Sequence, residues 1–330
     1  MKLLVANRGE IAVRILRAAA ELTIPTVAVF SEDDAQSLHI CRADEAHPLE
    51  GKGAAAYLDI EQIIAAAKDR GCDAIHPGYG FLSENNRFAR RCAEEKLVFV
   101  GPTAKALELF GNKVKAREFA QQCGVPVLPG IQTASVQEAS AFLASLGADA
   151  AVLLKAVAGG GGRGMRMVLD SSELDETFGL CQSEACAAFG DDALYIERLI
   201  PRARHIEVQI VGDGSGEIAH LWERECSLQR RHQKIVEVAP SPTLHESLRK
   251  RLCSAAVRMA REIGYNSLGT FEFLLDTEAE SDTFFFIEAN PRLQVEHTVT
   301  EEVVGLDLVQ TQIEISRGRS LAELGLRQSD

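Results

Sequence analysis

Along the first ~110 residues, short apolar runs alternate with longer segments whose apolar residues recur every three or four positions. The runs at 2–6, 26–30, 73–76 and 98–100 predict strands, and 10–22, 59–70 and 84–95 predict helices, as in the spacing of Ile60, Ile63, Ile64 and Ala67. Strand and helix in strict alternation specify a parallel sheet covered on both faces, a Rossmann-like unit. Its first turn reads Ala6-Asn7-Arg8-Gly9-Glu10, without the Gly-x-Gly-x-x-Gly that admits a pyrophosphate, so no dinucleotide is expected there. The loop His76 to Asn85 ends a strand and opens a helix, with Ser83 as the expected N-cap. Loops in that position of such sheets commonly contact ligands.

Beyond it, 103–123 is rich in helical spacing, and Pro126 and Pro129 mark a boundary. The strand 151–155 ends in Lys155 and is followed by Gly159-Gly160-Gly161-Gly162-Arg163-Gly164 and a second strand, 165–169. Adjacent glycines support no regular structure, and their backbone N–H groups can close over phosphate oxygens. No Lys-Ser or Lys-Thr and no helix follow, so this is not a P-loop. From 192 onward strands dominate: 193–197, 205–211 and 217–223, then a helix over 244–263, strands at 270–276 and 284–290, and a helix over 301–317.

The last pair of strands carries the most informative chemistry. The polar stretch 277–283 predicts a hairpin, and pairing Asp276 with Phe284 places Glu272 opposite Glu288. Period-two alternation puts Glu288 and Asn290 on the face of Phe284 and Phe286. Opposed carboxylates repel unless a cation sits between them, and two carboxylates with an amide suit Mg²⁺ or Mn²⁺ completed by nucleotide phosphates. Arg292 and Glu296 follow within a few residues.

Composition narrows the partners. With 46% hydrophobic residues in 330, the chain can bury full cores in two or three domains. A net charge of −13 argues against nucleic acid and anionic membrane, so any anion site must be local. The eight cysteines include no Cys-x-x-Cys pair and read as small hydrophobes in a reducing compartment. Neither a signal-peptide core nor a membrane span is visible, and the expected location is the cytoplasm. Against the acidic background, Arg230-Arg231-His232-Gln233-Lys234 stands out: in an extended segment His232 and Lys234 share a face and can converge on one anion. Lys113 and Lys155 close apolar elements, where a lone lysine ordinarily snorkels.

Taken together, Ala6 to Ala12, His76 to Asn85, the glycine loop, Glu223 to Lys234 and Glu288 to His297 resemble biotin carboxylase, the ATP-grasp component of the biotin-dependent carboxylases, over the whole chain. The resemblance implies an α/β and α+β protein: a Rossmann-like parallel sheet domain (1–110), an ATP-grasp fold (111–315) with a mobile glycine-rich lid at about 130–200, and the start of a truncated C-terminal domain (316–330). By position it implies that Lys113 and Lys155 hold nucleotide phosphates, that Gly161 and Gly162 supply lid contacts, and that Glu197, Arg198 and Ile200 lie at the adenine, with His205 near the nucleotide. It further implies that Glu272, Glu288 and Asn290 ligate metal, two ions in all. Lys234, Arg292, Gln294 and Val295 would surround bicarbonate, His232 would hold the transferring phosphoryl group, and Glu296 would be the base. The implied reaction is ATP-dependent carboxylation of biotin by bicarbonate through carboxyphosphate. The implied partners are a biotin carboxyl carrier and a carboxyltransferase, with a homodimer left open.

The family has a further C-terminal domain carrying another arginine, and the chain stops before it, which puts full carboxylation by this chain alone in doubt. Arg198 stands where lysine is frequent, keeping the charge with a different geometry. Two other readings stand beside this one: an ATP-grasp ligase of the carbamoyl-phosphate synthetase type, and a nucleotide-binding fragment without turnover.

Overall fold

The computed structural model describes residues 1–147, 150–157, 165–190, 192–231, 233–278, 283–326 and 328. Three sheets organise them. Strands β1 (Leu3–Val5), β2 (Thr26–Phe30), β3 (Glu45–Pro48), β4 (Ala74–His76) and β5 (Val98–Phe99) form an all-parallel sheet in the order β3-β2-β1-β4-β5. Four of these match the apolar runs; β3 reads Glu-Ala-His-Pro and has no hydrophobic pattern to reveal it. The helix expected over 84–95 runs over Asn86–Glu94 and is capped by Asn85, whose side chain accepts from Phe88 N, and not by Ser83. Ser83 is buried in the preceding turn, where its N–H donates to Gly80 O.

Strands β6 (Gly130–Thr133), β7 (Val152–Ala156), β8 (Met165–Val168) and β9 (Leu194–Arg198) make an antiparallel sheet, order β6-β9-β7-β8. It packs on the helices Val136–Ser145 and Leu174–Phe189 around Leu143, Leu154, Phe178 and Ile196. Gly161 and Gly162 lie outside the described residues, as does His232.

Strands β10 (Ala203–Asp213), β11 (Ile218–Arg230), β12 (Gln233–Val238), β13 (Asn266–Asp276) and β14 (Phe284–Asn290) form the largest sheet, antiparallel in the order β12-β11-β10-β13-β14. The strand expected at 217–223 continues to Arg230, and Arg231 has φ 52° between β11 and β12. Arg230 pairs with Gln233 and Gln229 with Lys234, so the described residues on either side belong to two antiparallel strands instead of one extended segment. One face of this sheet presents Ile206, Val208, Ile210, Phe271, Phe273 and Phe286 to the helices Ala104–Phe110, Lys113–Gln122 and Glu246–Glu262. Truncating any of these phenylalanines would cost about 3–5 kcal/mol.

The helix expected over 301–317 is two helices, His297–Val304 and Leu308–Ser316. Gly305 takes φ 68°, a left-handed stop, and Asp307 starts the second by accepting from Gln310 N at 2.7 Å. Apolar periodicity runs across the break, which is why the sequence pattern hides it. Leu308, Val309 and Ile313 of the second helix share a core with Leu3, Ile15, Val211 and Leu268, locking the parallel sheet to the largest one. Among the described residues no helix is long and apolar enough to cross a membrane.

Candidate active site

The face of the largest sheet opposite its apolar core is lined with polar side chains that are nonetheless buried. On β10, alternation sends Ile206, Val208 and Ile210 to the core and Glu207 and Gln209 the other way. Glu207 is 0% exposed, as is Arg224 of β11, which donates to it through Nε. The rest of the Arg224 fork reaches Gln209 Oε1 (3.0 Å), Thr300 Oγ1 (2.8 Å), Thr270 Oγ1 (3.3 Å) and Gln294 Oε1 (3.1 Å). One buried guanidinium thus ties the sheet to the loop after β14 and to the helix that follows.

Glu272 and Glu288 are direct partners across β13 and β14, but the ladder that brings them together differs from the expected one. Near the turn Leu275, not Asp276, pairs with Phe284; Phe273 pairs with Phe286, and the next pair is Glu272 with Glu288. Ile287 is an extra residue, a β-bulge. It restores the expected pairing at the carboxylates and reverses the face. Phe284, Phe286 and Ala289 point into the core, while Glu288 and Asn290 point with Glu272 to the polar side. The expectation that Glu288 and Asn290 share a face with Phe284 and Phe286 is therefore overturned.

Glu272 collects donors from four elements: His205 Nε2 (2.6 Å), Lys234 Nζ (3.0 Å), Asn290 Nδ2 (2.6 Å) and Gln294 Nε2 (3.1 Å). Gln229 Nε2 donates to His205 Nδ1 at 2.8 Å, which assigns the Nε2 proton to the Glu272 bond. Burial alone would raise the Glu272 carboxyl, but His205 and Lys234 hold it far below the usual range. Glu288 moves the other way, pushed up by burial and by the charge of Glu272, with Lys113 and Lys155 pulling against that. Burial lowers Lys113. The geometry asks for positive charge beside Glu288, and the donor set of two carboxylates and an amide oxygen fits a hard divalent cation.

Lys234 sits among three carboxylates: Glu207, Glu272 and Glu296, the last at 2.5 Å. Burial opposes its charge, yet the acids raise its pKa. Burial likewise opposes ionisation of Glu296, and Lys234 more than compensates, so that carboxyl is lowered and is an available base at neutral pH. Arg292 donates to Glu84 from the N-terminal unit, to Asn290 Oδ1 at 3.1 Å and to Leu293 O. Val295 is 62% exposed on the same loop.

Lys155 of β7 bonds Glu197 of β9, with Arg117 beside the same carboxylate. Arg198 is exposed and Ile200 buried. Glu207, Arg224 and Glu84 carry this arrangement and had no role in the reading of the sequence. The signal for Glu207 is the interleaving of polar residues, Glu207 and Gln209, with Ile206, Val208 and Ile210, which equally describes a solvated strand face.

Comparison with known proteins places this geometry. The family described as "Biotin carboxylase, N-terminal domain" matches residues 1–107, and "Carbamoyl-phosphate synthase L chain, ATP binding domain" matches 112–324. Pyruvate carboxylase of Bacillus subtilis (strain 168) is 53% identical over 325 residues, covering 97% of this chain and 28% of that protein. The mitochondrial pyruvate carboxylase of Mus musculus is 52% identical, covering 100% of this chain and 28% of that protein. The chain thus spans little more than a quarter of the length of these curated relatives. A biotin carboxylase–β,γ-ATP complex from Campylobacter jejuni superposes with a TM-score of 0.93 at 43% identity, covering 99% of this chain and 73% of that one. The biotin carboxylase domain dimer of Hydrogenobacter thermophilus 2-oxoglutarate carboxylase, holding MgADP, ADP and bicarbonate, gives 0.91 at 46%, covering 97% and 70%.

Proposed function

The chain belongs to the biotin carboxylase family of ATP-grasp ligases, and from that premise we propose that it activates bicarbonate with ATP and transfers the carboxyl group to biotin on a carrier protein. The observation that carries the reading is Glu296 held at 2.5 Å from Lys234, an ionised carboxylate base beside a cation that can hold a small anion. Glu296 takes the proton of bicarbonate as its oxygen attacks the γ-phosphorus of ATP, and ADP leaves. Lys234, Arg292, Gln294 and Val295 surround the bicarbonate, and His232 steadies the phosphoryl group in flight. Carboxyphosphate then breaks down to carbon dioxide and phosphate. The phosphate removes the ureido proton of biotin, whose nitrogen attacks carbon dioxide while Arg292 faces the enolate-like oxygen.

Lys113 and Lys155 bind the nucleotide phosphates, His205 lies near the nucleotide, and Glu197, Arg198 and Ile200 lie at the adenine. Gly161 and Gly162 contribute to the lid, for which we take the second sheet within 130–200. Closing it would exclude water from an intermediate that otherwise hydrolyses. Glu272, Glu288 and Asn290 would hold Mg²⁺ or Mn²⁺, which supplies neutralisation of the phosphate charge. All eight cysteines are free thiols, in keeping with a cytoplasmic location. The partners of this reading are a biotin carboxyl carrier and a carboxyltransferase, with dimerisation as in the Hydrogenobacter relative. A ligase of the carbamoyl-phosphate synthetase type would account for the match over 112–324 but not for that over 1–107.

Phosphate release from Mg-ATP, measured with and without bicarbonate and with and without free biotin, tests the proposal. Bicarbonate-dependent release is expected, increased by biotin. Release indifferent to bicarbonate would overturn it.

A further inference from the structure

One buried carboxylate faces two cations, one hydrogen-bonded to it and the other held as a longer ion pair. In the β7–β9 ladder Leu153 stands opposite Glu197 and Lys155 opposite Tyr195, so Lys155 and Glu197 lie diagonally on one face. Lys155 Nζ bonds Glu197 Oε1. Arg117, from the helix Lys113–Gln122, places NH1 3.7 Å from the other oxygen, Oε2. The Arg117 and Glu197 side chains are 9% and 5% exposed, and NH1 has no hydrogen-bond partner. Such a donor is costly to leave unmet, and a carboxylate oxygen lies just out of its reach.

The two cations differ in how they are held. Arg117 NH2 donates to the Leu128 carbonyl, and its guanidinium lies over the Tyr195 ring at 5.1 Å from the centroid. It is pinned from two sides. Lys155 carries a flexible four-carbon stem and lies within electrostatic reach of Glu288 and Lys113, on the side where phosphates are expected. If Lys155 left Glu197 for a phosphate, the carboxylate would remain buried, and an unpaired buried charge is strongly unfavourable.

We propose that Arg117 is a positioning residue: when Lys155 turns to the nucleotide phosphates, Arg117 NH1 takes over the Glu197 carboxylate, so nucleotide binding leaves no buried charge unpaired. The proposal rests on the reading of Lys155 as a phosphate ligand, and it assigns to Arg117 a part in nucleotide affinity without contact to the nucleotide.

A double-mutant cycle tests it, with Mg-ATP affinity read by calorimetry and ATPase kinetics for the wild type, Arg117→Met, Glu197→Gln and the double variant. Arg117→Met should weaken Mg-ATP binding about tenfold, in KM and not in kcat. In the Glu197→Gln background, where no charge is stranded, the same change should cost less than about twofold. Arg117→Lys, which keeps the charge but not the stacking on Tyr195, should recover most of the affinity. An undiminished effect of Arg117→Met beside Glu197→Gln would overturn the proposal. So would equal losses in Arg117→Lys and Arg117→Met, because both results would mark a packing role only. Should Arg117→Met fail to fold, Arg117→Gln, which removes the charge but keeps a polar side chain, takes its place in the cycle with the same expected and overturning results. A wild type that binds no Mg-ATP would overturn the functional reading itself; a wild type that binds it with independent mutational effects overturns only the role of Arg117.

Discussion

Glu272 and Glu288 face one another across β13 and β14 because the bulge at Ile287 puts them there. The two carboxyls then part company: four donors stabilise the charge of Glu272, while burial and that same charge disfavour ionisation of Glu288. Without metal, Glu288 is a net cost to the fold. Glu288→Gln should therefore melt at or above the wild-type temperature in chelator. The stabilisation that Mg-ATP gives the wild type should disappear. Thermal melts with and without Mg-ATP check both halves, and a Glu288→Gln variant still stabilised by Mg-ATP as strongly as the wild type would remove Glu288 from the proposed metal site.

Lys234 is the one described cation bonded to Glu207, Glu272 and Glu296 together. Its side chain is 18% exposed, so these contacts are largely shielded from water, and of the described side chains bonded to the three acids only Lys234 reaches all of them. Lys234→Met should lower unfolding free energy by roughly 3–5 kcal/mol, the range for breaking a buried pair by removing one partner. Urea denaturation measures it. A loss under about 1 kcal/mol would mean that Arg224 alone compensates Glu207.

Much of this site was legible, and what was missed has identifiable physical causes. Counting back from a polar turn put Glu272 opposite Glu288, yet two offsets cancelled: the turn pairs Leu275 with Phe284, and Ile287 shifts the ladder back by one. The run Phe284-Phe285-Phe286-Ile287 is apolar at every position, so alternation cannot locate a bulge inside it. Arg224 and Glu207 stayed hidden because a strand with one polar face ordinarily turns that face to water. Here the loop Pro291 to Glu296 and the helix after it cover the face, a tertiary fact absent from local pattern. Glu84 is hidden in the same way: its loop sits where such sheets contact ligands, but nothing in the spacing points it at Arg292.

That Arg292–Glu84 pair crosses between the N-terminal unit and the loop after β14. Glu84 is 40% exposed, so the pair adds little stability, under about 1 kcal/mol. Its effect falls on function: an anion approaching Arg292 must compete with Glu84. Glu84→Gln should lower the KM for bicarbonate about threefold while leaving the KM for ATP unchanged. Steady-state kinetics in both substrates check it. A rise in the bicarbonate KM would show that Glu84 aims Arg292 instead of competing for it.

Away from the proposed metal ligands, the Glu225 cluster gives a pH signature of its own. Its carboxylate accepts from Arg204 through Nε and NH2, at 2.9 and 2.6 Å, and from the Ser241 and Ser227 hydroxyls, at 2.7 and 2.9 Å. Burial pushes the carboxyl up, but Arg204 and the two serines overcome it and bring it down to about 2. A carboxyl lowered on folding stabilises the native state fully above its unfolded value near 4.5 and loses that contribution as pH falls toward about 2. With partial solvent screening, about 2 kcal/mol is at stake at neutral pH. Glu225→Gln should therefore be less stable than the wild type by that amount at pH 7, and the gap should narrow steadily below about pH 5. Denaturant midpoints across that range measure the gap, and one that stays constant with pH would show that the cluster acts through hydrogen-bond geometry and not through the charge of Glu225.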